Sequence, residues 1–514
     1  MRTDEEAQAV AAQPAEEAET AGNSYAREER AAEAEKPTRK SEDAIVTEED
    51  RIEVKLEGKE HPWNWTKTHR WFITIQAALM IFSATITSSA PSGGARVFSA
   101  NYGTSREVTG LLVSVFLVGY SVGPFVTAPS SETWGRRPPS IVFMALYTIF
   151  NGACAACSSI VPLLVCRFLA GACASGPIAT SGTIVTDIWA PKDRGMVMSL
   201  WSIGSFAGPS LGPIVGGFIA ISGLNVRWIF IVMTLLSGSL TILIFFALPE
   251  TYVPLLVHRK AQKLREETKD PRYYAKFSED KGSAWKKISV TVTRPFKIFF
   301  KEPILVLSTI YSSFAYAVLY MLFPLYPIIF QDIRGLQEGV GDLPFLATLG
   351  GVLAAVPIQY LYQFKYLRDL KANHGKHTPE LRLAPTYLGG PVMVVALLWL
   401  GWTGYKANIN AAVPTLSGLL TGISSVLIFR SFSTYVMECY KDYSASAMAA
   451  VVVFRSLFGA GLPIAVDPMV RAIGVQWSAT LLAAFQLLLV PVPFLFYKYG
   501  VKIRARSPYS ADEK

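Results

Sequence analysis

The residue types that could do chemistry in this chain are few, and most sit inside apolar surroundings. Arg167 lies in Val165-Cys166-Arg167-Phe168-Leu169-Ala170-Gly171, a stretch otherwise free of charge. An arginine placed in hydrocarbon costs about 2.5–3.5 kcal/mol on insertion scales, so it is kept for a reason. Two reasons are open: movement of a proton or substrate, or bonding to the carbonyls of a neighbouring helix. Asp187 follows at the end of the same apolar run. Upstream, Glu132-Thr133-Trp134-Gly135-Arg136-Arg137 places an acid and two guanidinium groups around a glycine. A tight glycine turn would bring them to helix ends, where they can pair across two halves of the molecule. Gly208-x3-Gly212-Pro213-x2-Gly216-Gly217 supplies glycines four apart, a flat helix face that permits close helix contact. Its prolines free carbonyls and let the helix bend.

Other chemistry is not expected. The pattern G-x-x-x-x-G-K-[ST] is missing, so ATP is not the expected energy source. Cys154-x-x-Cys157 has no histidine or charge beside it and reads as two small packing thiols. All five histidines (61, 69, 258, 374, 377) lie outside the apolar runs. No metal, cofactor, nucleic-acid partner or enzymatic activity is expected.

The elements that must position these groups are membrane spans. The 514 residues are 51% hydrophobic and only 17% charged, where soluble domains carry about 25% charged residues. A span needs about 20 apolar residues. Twelve such runs occur: 71–92, 108–127, 139–159, 162–186, 196–222, 228–249, 303–330, 343–364, 383–404, 411–437, 443–466 and 474–497. Residues 1–60 hold 18 of the 39 acids and 9 of the 48 bases, leaving 21 acids and 39 bases for the body. With both termini in the cytosol, 30 of those 39 bases fall on cytosolic segments and six on outer joints. The other three, Arg167, Arg430 and Arg455, lie within spans. That bias predicts cytosolic termini. The start, MRTDEEAQAV, has no apolar core, so a cleaved signal peptide is not expected.

The expected organisation is a disordered acidic tail (1–60), a six-helix bundle (61–249), a cytosolic central loop (250–302), a second six-helix bundle (303–497) and a C-terminal tail (498–514). Within the loop, Leu255–Glu267 reads as a basic amphipathic helix, either a solvated linker or a membrane-surface element.

Six spans, a long loop and six more is the layout of paired transporter repeats. The Glu132…Gly135-Arg136-Arg137 turn after span 2 resembles the 2–3 loop signature of the major facilitator superfamily, with Glu132 where Asp is commoner and Thr133 where a base is commoner. Arg167-x3-Gly171 resembles its span-4 motif, whose arginine is tied to proton movement. Asp187, ending the same span, resembles the acid that closes a charge network with the 2–3 loop, which implies Arg136 or Arg137 as its partner. The Gly208–Gly217 pattern resembles its antiporter motif, with Ser199 in place of a further glycine. Leu248-Pro249-Glu250-Thr251, Pro324-Leu325-Tyr326-Pro327, Pro379-Glu380-Leu381-Arg382-Leu383, Ser444-Ala445-Ser446-Ala447…Arg455 and Tyr499-Gly500…Arg504 narrow the likeness to the fungal twelve-span drug:proton antiporters. These include polyamine exporters and efflux pumps of toxin gene clusters. The resemblance spans about residues 60–507. It implies an all-α membrane protein of the major facilitator fold, twelve transmembrane helices in two bundles. It also implies a monomer in the plasma membrane (or the vacuolar membrane) exporting a small molecule in exchange for protons. Cavity candidates are Thr85, Ser88, Tyr120, Arg167, Tyr316, Tyr320, Gln359, Tyr360, Arg430, Tyr435 and Glu438. Span 1 has no acid, so Asp187 and Glu438 are the candidate proton carriers, unless each is an interfacial ion pair. The arginine-rich interior favours neutral or anionic amphipathic cargo over polyamines. A nutrient importer and a transporter-like sensor are the remaining alternatives.

Overall fold

The computed structural model describes residues 52–275, 284–372, 378–440 and 443–510. Ten helices are long and apolar enough to cross a membrane, and an eleventh span is the bent pair Ala95–Tyr102 and Arg106–Val122. One of the ten holds two spans. The helical run Ser444–Leu489 breaks at Gly474, whose φ of 77° is left-handed. A glycine is tolerated there without a side-chain clash. Twelve spans result, as the apolar runs predict.

In chain order they are α1 (Lys67–Gly93), α2 (Arg106–Val122), α3 (Arg137–Ala156), α4 (Ile160–Ile188), α5 (Pro191–Ile221) and α6 (Arg227–Ala247). The second set is α7 (Pro303–Tyr326), α8 (Phe345–Ala372), α9 (Thr386–Gly404), α10 (Ala412–Cys439), α11 (444–473) and α12 (475–489). Past α7 the chain makes one widened turn over Pro327–Asp332. Within the first set α1 lies along α5, and α4 packs on both α2 and α3. Within the second, α10 packs on α8 and α9. The two sets meet along α2 with α11 and along α5 with α8. The face bearing the Gly135 turn, which the charge bias assigns to the cytosol, is called inner below.

Three expectations about the segments outside the spans change. Residues 1–51 of the acidic tail lie outside the described residues, but its last part is ordered. Ile52–Glu53 pairs in parallel with Tyr273–Tyr274, and Val54 is buried with Ala261 and Ala275. Extended backbone beside an exposed strand finds its hydrogen-bond partners there, which composition cannot reveal. The central segment holds two helices, Val253–Thr268 where the basic helix is expected and Ala284–Lys301 where none is. The chain after 497 is not a free tail. Helix Val492–Arg504 carries Arg504, 5% exposed, back against Glu380.

Candidate functional site

Pro91 lies four residues after Thr87 in α1 and has no N–H, so the Thr87 carbonyl lacks its normal helical donor. Arg167 supplies one. It is fully buried, and its Nη1 donates to Thr87 O at 3.0 Å, Nη2 to Ser88 O at 3.0 Å and Nε to Leu112 O at 2.9 Å. Its guanidinium lies 4.2 Å from the Phe116 ring centre. Arg167 therefore ties α4 to α1 and α2 with its planar fork. Gly171, one turn on, lets α4 close on Phe116, where a Cβ would sit 2.9 Å from the carbonyl carbon.

From Ser88 a polar path crosses to the second bundle. Ser88 Oγ and Tyr320 Oη are 3.0 Å apart, and Tyr316 O–H donates to Tyr320 Oη at 3.1 Å. The Arg455 guanidinium lies 4.7 Å from the Tyr316 ring centre and 4.8 Å from that of Phe429. Phe429 in turn meets Phe206 of α5 edge-on at 5.5 Å. So Arg167, Ser88, Tyr320, Tyr316 and Arg455 form one chain through the centre. Tyr120 joins it from α2, donating to Ala84 O at 2.7 Å. Thr85 instead serves packing, donating to Gly204 O at 3.1 Å.

Other cavity candidates lie elsewhere. Tyr435 stacks on Phe496 at 5.6 Å. It is six residues past Phe429 on α10, which at 100° per residue turns it away from the centre. Gln359 donates to Val426 O at 3.4 Å and holds α8 to α10. Tyr360 is 45% exposed on the bundle's outside. Arg430 donates to Gly195 O at 3.3 Å and bridges the two bundles at α5.

The glycine face of α5 interlocks with α1. A Cβ on Gly208 would sit 2.6 Å from Ile86 N, and one on Gly212 would sit 2.8 Å from Ile86 O and 2.9 Å from Ala90 N. Gly216 abuts Ala90, and Pro213 O abuts Gly93. Gly217 faces the other bundle, touching the Asp342 carboxylate, and a Cβ there would meet Gly339 N at 2.6 Å. This is part of an outer closure. Asp332, at the end of the turn after α7, takes both Arg96 and Arg106. Glu338 accepts from Arg96 N at 3.2 Å, and Arg471 of α11 pairs with Glu107 of α2 at 2.8 Å. Asp342 accepts from Gly339 N at 3.2 Å and Gln331 Nε2 at 3.3 Å. Burial, aided by the nearby Glu338 charge, pushes its carboxyl up to about 7. Beneath lies a cavity of about 50 Å³ lined by Arg106, Phe323, Pro324 and Asp467. Drug-sized ligands need about 300–1,000 Å³, so it holds water at most.

At the inner face the Gly135 turn (φ 89°) closes on Glu250. One Glu250 oxygen accepts from Arg136 N at 2.8 Å and the other from Arg137 N at 3.2 Å. Arg136 Nε pairs with Asp187 at 3.1 Å, and Arg137 donates to Phe245 O at 3.0 Å. Both arginines thus bond within the first bundle, not across the halves as expected. Glu132 is exposed, and Glu250 is the acid that holds the turn. Glu250 stands 114 residues beyond Arg136, and only its place directly after α6 brings it there.

The second bundle repeats this arrangement. Arg382, in the turn before α9, donates to Glu438 at 2.7 Å and to Gln363 at 3.0 Å and lies 3.6 Å from the Tyr366 ring centre. Glu380 pairs with Arg504. Asp187 at the end of α4 and Glu438 at the end of α10 hold equivalent places, each in an ion pair with the turn preceding α3 or α9. Among the described residues no group of three metal-ligating side chains occurs.

Comparison with known proteins agrees with this architecture. Residues 76–463 match the family model described as Major Facilitator Superfamily. The chain is 37% identical over 473 residues to the major facilitator superfamily multidrug transporter mdrA of Aspergillus fumigatus, covering 90% of this chain and 77% of that one. It is 34% identical to the efflux pump FUB11 of Gibberella moniliformis (86% and 74% covered) and 35% identical to the MFS-type efflux pump MFS2 of Trichophyton rubrum (88% and 76%). Among solved structures, the proton:xylose symporter XylE superposes with a TM-score of 0.62 over 85% of this chain and 96% of that one, at 15% identity, which speaks for the fold alone. The interlocked bundles, the two matching inner turns and these likenesses together place the chain in the major facilitator superfamily, in its fungal drug-efflux family.

Proposed function

We propose that this multi-pass membrane transporter exports a small organic compound from the cytosol in exchange for protons, by alternating access across the plasma membrane. The observation that carries this reading is the glycine face of α5 locked into α1, with its last glycine seated on the outer closure. A face with no side chains lets two helices slide or part without unpacking a core. The relatives named as multidrug transporter and efflux pumps support the direction. A carboxyl raised by burial stands at the outer face, Asp342, while Asp187 and Glu438 at the inner face are each held in an ion pair with an arginine. Polyamine export fits less well, because the central chain from Arg167 to Arg455 carries cations and phenols but no acid.

The test uses everted plasma-membrane vesicles from fungal cells expressing the protein, loaded with a dye-like amphipathic drug outside. Acidifying the vesicle interior should drive drug accumulation that a protonophore abolishes, and protease added outside should remove a C-terminal epitope. Accumulation in right-side-out vesicles under an inward proton gradient would make the protein an importer. A protected epitope would reverse the topology.

A further inference from the structure

The three arginines inside the spans are not equivalent. Arg167 is bonded to three carbonyls and Arg430 to one. Arg455 on α11 takes no hydrogen bond or ion pair among the described residues, and its Nε is buried without a partner. Its guanidinium is held only by the ring faces of Tyr316 and Phe429, at 4.7 and 4.8 Å. Arg455 is only partly buried, but such contacts return less than a cation costs among membrane spans, so a guanidinium with no paired charge here calls for an opposite charge from outside the protein.

No carboxylate of the spans answers that call. Glu107 lies at the start of α2, Asp187 at the end of α4 and Glu438 at the end of α10. Each is already paired with an arginine. Asp467, twelve residues along α11 from Arg455, is about 18 Å away at 1.5 Å per residue. Asp193 in the first turn of α5 and Asp369 in the last turn of α8 lie at the inner ends of their helices. Around the guanidinium the walls are aromatic, Tyr316 of α7 and Phe429 of α10, and Phe206 of α5 in the other bundle is set edge-on to Phe429. Gly459, one turn along α11, gives the Tyr316 ring room to lie flat, since a Cβ there would be 3.0 Å from it.

We propose that Arg455, Tyr316 and Phe429 form the anion-recognising part of the transport site, and that the cargo is a flat aromatic monoanion such as a carboxylate. The fork of Arg455 takes the carboxylate through paired N–H donors, and the rings cover the apolar body. This rests on the exporter reading and narrows its substrate to one charge class.

The test is equilibrium binding of 2-naphthoate and 2-naphthamide to the purified full chain in nanodiscs near neutral pH, followed by tryptophan fluorescence. Naphthoate should bind at least about tenfold more tightly than the isosteric amide. Arg455→Gln should bring the two within about twofold by weakening only the acid, and Arg455→Lys should fall between. The wild-type comparison stands even if a variant fails to fold. Equal affinity for both probes, binding of neither, or an acid preference that survives Arg455→Gln overturns the proposal. Binding is read without a gradient, so a vesicle experiment showing import would overturn the export reading and leave this one standing.

Discussion

Arg167 donates to three backbone carbonyls, and one of these, on Thr87, is already deprived of its helical donor by Pro91. Each buried carbonyl left without a donor costs about 1–3 kcal/mol. We therefore expect Arg167→Ala to lower the melting temperature in detergent as well as to abolish transport. Arg167→Lys keeps the charge but loses the fork and the stacking on Phe116, and should be intermediate in both. A variant with an unchanged melting temperature that has lost only gradient-driven efflux would show instead that Arg167 acts on the proton. Arg455 is the contrasting case. It joins α11 to α7 and α10 through ring faces alone, so its replacement should change what binds more than how firmly the helices pack.

Along α5, side-chain size is limited by backbone of α1 rather than by adaptable side chains alone. At Gly212 even a methyl group overlaps Ser89 and crowds Ile86 O and Ala90 N. The neighbouring atoms are mostly main chain and cannot turn aside, and overpacking of this kind costs about 1–3 kcal/mol. Gly212→Ala should already cut transport several-fold, and Gly212→Leu should abolish it, read as drug flux in vesicles at matched protein amounts. Full activity in Gly212→Leu would mean that α1 and α5 part at this level throughout the cycle. The two inner turns show the same dependence on neighbours. The Glu132–Arg137 and Pro379–Leu383 segments are each recognisable in sequence, but what holds them is Glu250 in one bundle and Arg504 in the other. Glu250 takes the backbone N–H groups of its turn, whereas Arg504 takes the Glu380 side chain.

For the molecule as a whole, the outer closure is where we expect pH to act on the two bundles. Asp342 faces Gly217 of α5, Gln331 after α7, and the charges of Glu338 and Arg96; Asp332 and Arg106 complete the cluster. Its carboxyl is raised to about 7 in the closed state, against about 4 for a solvated carboxylate. The closed state thus binds the proton more tightly than an opened one. Closure is fully favoured below about pH 4 and loses that advantage as the outside pH rises through about 7. Spin labels at the exposed positions Asn101 and Gln337 should report a shorter separation at outside pH 5 than at pH 8 (each about). Asp342→Asn, neutral at both, should remove the difference. A pH response unchanged in Asp342→Asn would place the sensor on Glu338 or Asp332.

The amino-acid sequence alone determined the twelve spans, the 6 + 6 division, the inner turns and the Gly/Pro face of α5. These signals are local: an apolar run is long enough or it is not, and glycine and proline act on their own backbone whatever lies beside them. Tertiary structure decided which partner each charged group takes. Arg136 could have paired across the halves, Glu132 could have held its turn, and Tyr435 could have faced the centre. Each outcome depends on how far one helix is rotated against another. At 100° per residue, a span boundary uncertain by two residues leaves that rotation undetermined. Arg455 was visible as a charge within a span, but its lack of any counter-charge became evident only once α7, α10 and α11 were set around it.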